Sequence, residues 1–301
     1  VTGIVITAIG LALLPVGIKY ASGGAAAFQM NAPEWGDFSR WGLALVVIFV
    51  ALGFKFFTRG TMSSAAILIG LIAGYVVGYL TGAVNFGGVA KAAWFAVPQP
   101  FKYGIEFSAF AIIGMCLMSL VSAIETVGDI SGIAKGGANR EATDKELSGG
   151  TYADGFGSFI AGLFGGLPNT SFSQNVGLIS MTGVMSRSVV TLGALFLVAC
   201  GLIPKVGAVV AAMPISVLGG GVIVMFGMVV SAGINMLSGV NWNRRNMIIL
   251  AMSLSVGLGI QAVPKSMQHL PDSFEMLMVS GLLPAAAISV ILNLLIPKDI
   301  D

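Results

Sequence analysis

The chain has 301 residues, of which 56% are hydrophobic and only 9% charged, against roughly a quarter charged in an ordinary soluble domain; this excludes a water-soluble fold and points to a chain dissolved in lipid. Its 15 basic and 13 acidic groups leave a formal net charge of +2, so no large single-sign field implies nucleic acid or an acidic tail as a partner. Both cysteines, Cys116 and Cys200, fall in apolar runs, where a small buried hydrophobe is expected rather than a disulfide or a metal pair.

A helix needs about 20 residues to cross about 30 Å of hydrocarbon. In chain order the apolar runs are 1–18, 41–54, 62–84, 103–134, 150–167, 174–185, 188–204, 206–243, 246–263 and 276–297. The run 206–243 has no charge and is too long for one span, and Met213-Pro214 marks where one helix ends and the next begins. Counting that run as two predicts ten or eleven membrane helices of uneven length. Residue 1 is Val, already inside a span and without a basic stretch before it. The first run therefore reads as one span of a fragment lacking its upstream part, not as a signal peptide.

Assigning the loops alternately to two sides puts Lys55, Arg59, Lys135, Arg140, Lys145, Arg187, Arg244, Arg245 and Lys298 on one side. Lys19, Arg40, Lys91, Lys102, Lys205 and Lys265 fall on the other. The positive-inside rule makes the richer side cytoplasmic, which places AKGGANREATDKELSGG inside and the loop 21–40 outside.

Some ionisable groups do not fit into loops. The segment SAIETVGD puts Glu125 and Asp129 four apart on one helix face, with Ser122 about one turn earlier. Asp154 follows in TYADGFGSFIAG. Carboxylates at such depth normally face a bundle interior or a wet cavity and mark ion, proton or substrate paths. The competing reading leaves Asp129 and Asp154 wet at the cytoplasmic rim, near the ends of their segments. Glu125, about six turns into its run by the usual pitch, is harder to place at a rim. Glu106 reads as interfacial and His269 as a solvated loop residue.

The stretch NTSF at 169–172 follows the breaker FGGLP and has no helical spacing, so it reads as extended backbone. QNVGLISMTG at 174–183 then resumes an apolar helix. Non-helical backbone at membrane depth needs protein or a cavity to cover it, and a helix starting there offers free N–H groups and a positive dipole end to a polar or anionic solute. An ordinary extracellular loop is the alternative, but the run 174–185 is too short to cross alone.

QNVGLISMTG matches the signature of the nucleobase–ascorbate transporters (the nucleobase:cation symporter-2 family), in which Gln, Glu or Pro, then Asn-x-Gly, is followed after four residues by Thr and then Arg, Lys or Gly. ETVGDI around Glu125 resembles the family's carboxylate segment. TYADGFGSFIAGLFGGLPNTSFSQN resembles its next helix and crossover, and TGIVITAIGLALLPVG its fifth span. The resemblance covers essentially the whole chain and is nearest the bacterial xanthine/uric acid permease branch.

This resemblance implies an all-α polytopic membrane protein of fourteen spans in two inverted repeats of seven, in the bacterial inner membrane. The chain would hold about ten of those spans. Residues 1–100 and 213–301 would form a gate domain and 101–212 the second-repeat half of a core domain, with a short strand at 170–173 before the interrupted helix. Glu125 corresponds to the family's substrate-binding carboxylate. Gln174 would make bidentate amide contacts, which suits a ring edge that both donates and accepts, and the Ser173 main chain would add more. Phe172 faces the ring or packs. Asn175 holds the crossover backbone, and Asp129 and Asp154 are candidates for the coupling-proton network. Gln174, Asn175, Gly177, Thr182 and Gly183 make up the signature.

The implied function is inward, proton-coupled symport of an oxopurine, xanthine or uric acid, by an elevator-like movement of core against gate. Gln rather than Glu at 174 favours the oxopurine branch. The alternative is a uracil or other nucleobase permease, or an ascorbate-like one, coupled to sodium. A homodimer through the gate domain is implied, with lipid around it. No cofactor or metal is expected, and with one His and two scattered Cys the chain lacks the groups for metal or Cys/His enzyme chemistry. A channel, the third class, would not need so specific a pocket.

Overall fold

The computed structural model describes residues 1–173, 175, 176, 179 and 183–297, the side chains of Asp272, Ser273 and Met276 excepted. Its elements in order are α1 (Thr2–Ala21), α2 (Ala25–Gln29), α3 (Phe38–Phe57), α4 (Thr61–Ser64), α5 (Ala66–Leu80), α6 (Gly87–Lys91) and α7 (Ala109–Ala138). There follow α8 (Asp144–Leu163), α9 (Arg187–Gly201), α10 (Pro204–Ala211), α11 (Ile215–Ser238), α12 (Arg244–Ala262), a 3-10 turn (Pro264–Met267), α13 (Asp272–Val279) and α14 (Leu282–Leu295). Helices dominate because every backbone N–H and C=O in hydrocarbon needs an internal partner.

Among the described residues α1, α3, α7, α11 and α12 are long and apolar enough to cross a membrane, and α9 with α10 makes a sixth candidate bent by 87°. This is fewer than the ten or eleven expected. The difference lies in particular elements. The apolar helices α5 and α14 have 15 and 14 residues, or about 21–23 Å at 1.5 Å per residue. The run 276–297 is divided at Gly281, whose φ of 71° no L side chain adopts readily. Met213-Pro214 does separate α10 from α11, as the sequence predicts. No strand occurs among the described residues; 170–172 are irregular and Ser173 lies in a turn. A strand needs a neighbouring backbone to form its ladder, and none pairs with 170–173 here.

Packing divides the chain into two units, one of 1–12, 99–183 and 227–301 and the other of 13–98 and 184–226. In the second, α5 buries Gly70, Gly74 and Gly78 at four-residue spacing, so its backbone approaches its neighbours closely, as small residues allow between membrane helices. A Cβ on Gly74 would run into Val47 and Val217; both belong to that unit's apolar core with Leu43.

In the first unit Val5, Val121 and Ala286 form the core. Arg245 is buried there and donates to Ile296 O at 2.9 Å and Asn293 O at 2.6 Å. A cation thus caps the carbonyl end of α14, where the helix dipole favours positive charge. An apolar cavity of about 540 Å³ lies against one face of α7, lined by Leu117, Val121, Ile124, Leu283, Ala286 and Val290 among others. The polar residues of α7 occupy other positions around the helix.

Candidate functional site

Local sequence brings α8 back alongside α7. Asn139 ends α7 in the left-handed region at φ 51° and ψ 35°, a conformation Asn tolerates. Four residues later Thr143 starts α8 with a capping box: its hydroxyl accepts from the Glu146 N–H, and Glu146 accepts from the Thr143 N–H at 2.9 Å. Arg140 clamps the same carboxylate through both Nη atoms, at 2.8 and 2.6 Å. The two helices pack together, and Asp154 therefore meets the polar positions of α7.

Beyond α8 the chain turns at Gly165, with φ 73°, and the Gly166 N–H donates to Ala161 O at 2.7 Å. The stretch NTSF then runs back against both helices. The Asn169 N–H donates to Ser158 Oγ at 2.8 Å, and that hydroxyl donates to Asn169 O at 3.2 Å. A Cβ on Gly157 would stand 2.6 Å from Asn169 Nδ2, so glycine is what lets the crossover lie this close to α8.

The hydroxyls of this crossover reach the α7 carboxylates. Thr170 Oγ1 lies 3.3 Å from Glu125 Oε2, and Ser173 Oγ lies 3.2 Å from Glu125 Oε1 and 3.0 Å from Asp129 Oδ2. Ser171 donates to Asp129 Oδ2 at 2.5 Å. Asp154 Oδ2 accepts from Ser122 and Thr126, both at 3.1 Å, and Ser122 Oγ is 3.0 Å from Thr170 Oγ1. Asp129 is 1% exposed and Ser173 4%, whereas Glu125 and Asp154 are half-buried. Among the described residues no Lys or Arg forms an ion pair with any of the three. Among the described residues, hydroxyl side chains are the donors that meet these charges, which are costly to hold inside a membrane protein.

Of the residues singled out from sequence, Glu125, Asp129, Asp154 and Ser173 come together. Phe172 is exposed, and Asn175 is exposed with its N–H donating to Phe172 O at 2.9 Å. Gly183 has a φ of 67°, consistent with the Gly that ends the motif. Gln174, Gly177 and Thr182 lie outside the described residues. Neither Asp129 nor Asp154 stands at a helix end, because α7 continues to Ala138 and α8 begins at Asp144. Sequence reading passed over Thr126, Thr170 and Ser171 as site residues. Thr126 was accessible to it, lying four after Ser122 and three before Asp129 on one helix face.

The class these features define is a multi-pass helical membrane protein whose helices bury a carboxylate cluster against a hydroxyl-rich crossover. A model of the permease family matches residues 1–266. The chain belongs to this family, the nucleobase–ascorbate transporters or nucleobase:cation symporter-2 family, and is a multi-pass cell-membrane protein. It is 36% identical over 296 residues to the xanthine permease of Bacillus subtilis, with 98% of this chain and 66% of that one aligned. The uric acid permease PucJ of Bacillus subtilis is 35% identical over 296 residues, covering 98% of this chain and 66% of its own. The xanthine permease XanQ of Escherichia coli is 36% identical over 300 residues, covering 99% and 64%. The chain thus spans about two thirds of the length of these relatives.

Proposed function

We propose that the protein is a secondary active transporter that carries an oxopurine, xanthine or uric acid, into the cell together with a proton. The observation that carries this reading is Glu125, half-buried inside α7 with its oxygens facing Thr170 and Ser173. It stands beside the crossover that leads directly into Gln174. A carboxylate that accepts and a carboxamide that both donates and accepts make the complement of an oxopurine's ring edge. Glu125 and Gln174 bind the base, with Ser173 and Phe172 beside them; Asp129, Asp154 and Asn175 organise the site and its proton.

In this reading 101–212 is the core half that moves with substrate, and 1–100 and 213–301 are gate, through which two copies associate. The permeases named above act on xanthine and uric acid, which supports the oxopurine class. The test is competition for labelled xanthine uptake in cells expressing the full-length protein. Unlabelled xanthine and urate are expected to compete, and uracil and ascorbate to leave uptake unchanged. Stronger competition by uracil overturns the substrate class.

A further inference from the structure

The three carboxylates are joined by hydroxyls, of which the reading above leaves Ser122, Thr126, Thr170 and Ser171 without a role. In order, Asp154 meets Ser122, Ser122 meets Thr170, Thr170 meets Glu125, Glu125 meets Ser173, and Ser173 meets Asp129, all at 3.0–3.3 Å. Thr126 adds a contact to Asp154 at one end and Ser171 one to Asp129 at the other. These are seven oxygen–oxygen contacts among five hydroxyls and three carboxyls.

Each hydroxyl has one proton to give, and an ionised carboxylate has none. With all three carboxylates ionised, five protons face seven contacts and two contacts pair oxygens with no proton between them. A proton on Asp154 and another on Glu125 complete the set. Asp154 then donates to Ser122, Ser122 to Thr170, Thr170 to Glu125, Glu125 to Ser173 and Ser173 to Asp129. Asp129 supplies an independent sign that this unit is not filled by its own contacts. It is 1% exposed, yet its Oδ1 is buried without a hydrogen-bond partner among the described residues.

We infer that Ser122 and Thr170 form a proton relay between Asp154 and Glu125, so that the carboxyls act as one proton-holding unit and not as separate sites. This rests on the proposed proton coupling. The step balances. The Asp154 carboxyl proton passes to Ser122 Oγ, the proton Ser122 held passes to Thr170 Oγ1, and the one Thr170 held passes to Glu125 Oε2. Asp154 is left ionised, Glu125 protonated and both hydroxyls intact. Ser122 is a positioning residue: it touches two members of the chain and no proposed substrate contact.

The experiment uses the full-length protein in vesicles, with xanthine as probe, and compares Ser122→Ala, Ser122→Thr and Thr126→Val with wild type. Thr126→Val removes a donor to the same carboxylate but lies off the relay. Three readouts are taken: xanthine binding, xanthine counterflow without an imposed gradient, and uphill accumulation driven by a pH gradient. Ser122→Ala is expected to keep binding within threefold and to retain counterflow, while accumulation falls at least tenfold. Ser122→Thr restores accumulation, and Thr126→Val exceeds Ser122→Ala at least threefold. Wild-type accumulation by Ser122→Ala overturns the relay, as does loss of binding that Ser122→Thr does not restore. Failure of the wild type to accumulate on a pH gradient overturns the proton coupling itself, and the relay with it.

Discussion

Glu125 and Asp154 sit on facing helices and share a hydroxyl chain, yet their chemical positions differ. Glu125 meets the crossover on both oxygens, through Thr170 and Ser173. Asp154 meets two hydroxyls, Ser122 and Thr126, that belong to α7. In the proposed binding mode the base therefore meets Glu125 and not Asp154. Glu125→Gln keeps the shape but removes the charge that the substrate N–H groups require in the proposed binding mode. Losing the charged acceptor of a buried hydrogen bond costs on the order of 1.5–3 kcal/mol, or roughly one to two decades in affinity. Asp154→Asn is expected to leave equilibrium binding nearly intact while abolishing accumulation against a gradient. Calorimetry on both purified full-length variants, beside uptake in vesicles, separates the two roles; equal loss of binding in both reassigns Asp154 to the binding site.

At the scale of elements, the legible features were those written in hydropathy and proline. The deep carboxylate helix α7 and the break at Met213-Pro214 follow from runs of apolar residues and from a residue that cannot continue a helix. The start of α8 does not. Hydropathy begins that segment at 150, but the helix begins at Asp144 because the Thr143–Glu146 capping box and the Arg140 clamp satisfy its first N–H groups and charge. The signal was present in TDKE, a Thr-x-x-Glu box, and hydropathy is blind to it. The hydroxyl contacts of 170–173 were not legible, since they depend on where a turn at Gly165 sends the chain.

Glu146 is held well below the usual carboxylate range, first by its hydrogen bonds to Arg140 and then by those from Thr143. A depressed folded-state value contributes stability above the ordinary value of about 4.5, lost as pH falls through the folded value. Arg140→Ala should therefore lower the melting temperature at pH 7, and the gap to wild type should narrow as the pH is taken well below 4.5. A gap that stays constant with pH removes the clamp as its cause. In α5, Gly74→Val drives a branched side chain into Val47 and Val217 and should destabilise by about 1–3 kcal/mol through overpacking. Gly53→Ala in α3, where a Cβ meets nothing within 4 Å, is the neutral comparison, and equal melting temperatures for the two variants would remove close glycine packing as the reason for α5's composition.

For the whole molecule, the contact units and the proposed domains draw different lines. The site lies wholly within the unit of 1–12, 99–183 and 227–301, whereas the proposed core is 101–212. Packing groups residues that touch and domains group residues that move together, so each helix shared between divisions is a question about motion. In the proposed symport the choice between proton and sodium rests on the oxygens of the site. A sodium ion would need oxygen lone pairs turned toward it. Here the hydroxyls of Ser122, Thr126, Ser171 and Ser173 already stand within hydrogen-bond distance of the carboxylates, and no cation pairs with them among the described residues. Carboxyls so arranged take up a proton by reversing a hydrogen bond to a neighbouring hydroxyl with every oxygen kept in place; a metal ion would have to displace those contacts. Uphill xanthine accumulation by the full-length protein is therefore expected to collapse with a protonophore and to persist when sodium is replaced by choline. Accumulation that survives the protonophore but disappears without sodium overturns proton coupling and requires the hydroxyl cluster to reopen around an ion.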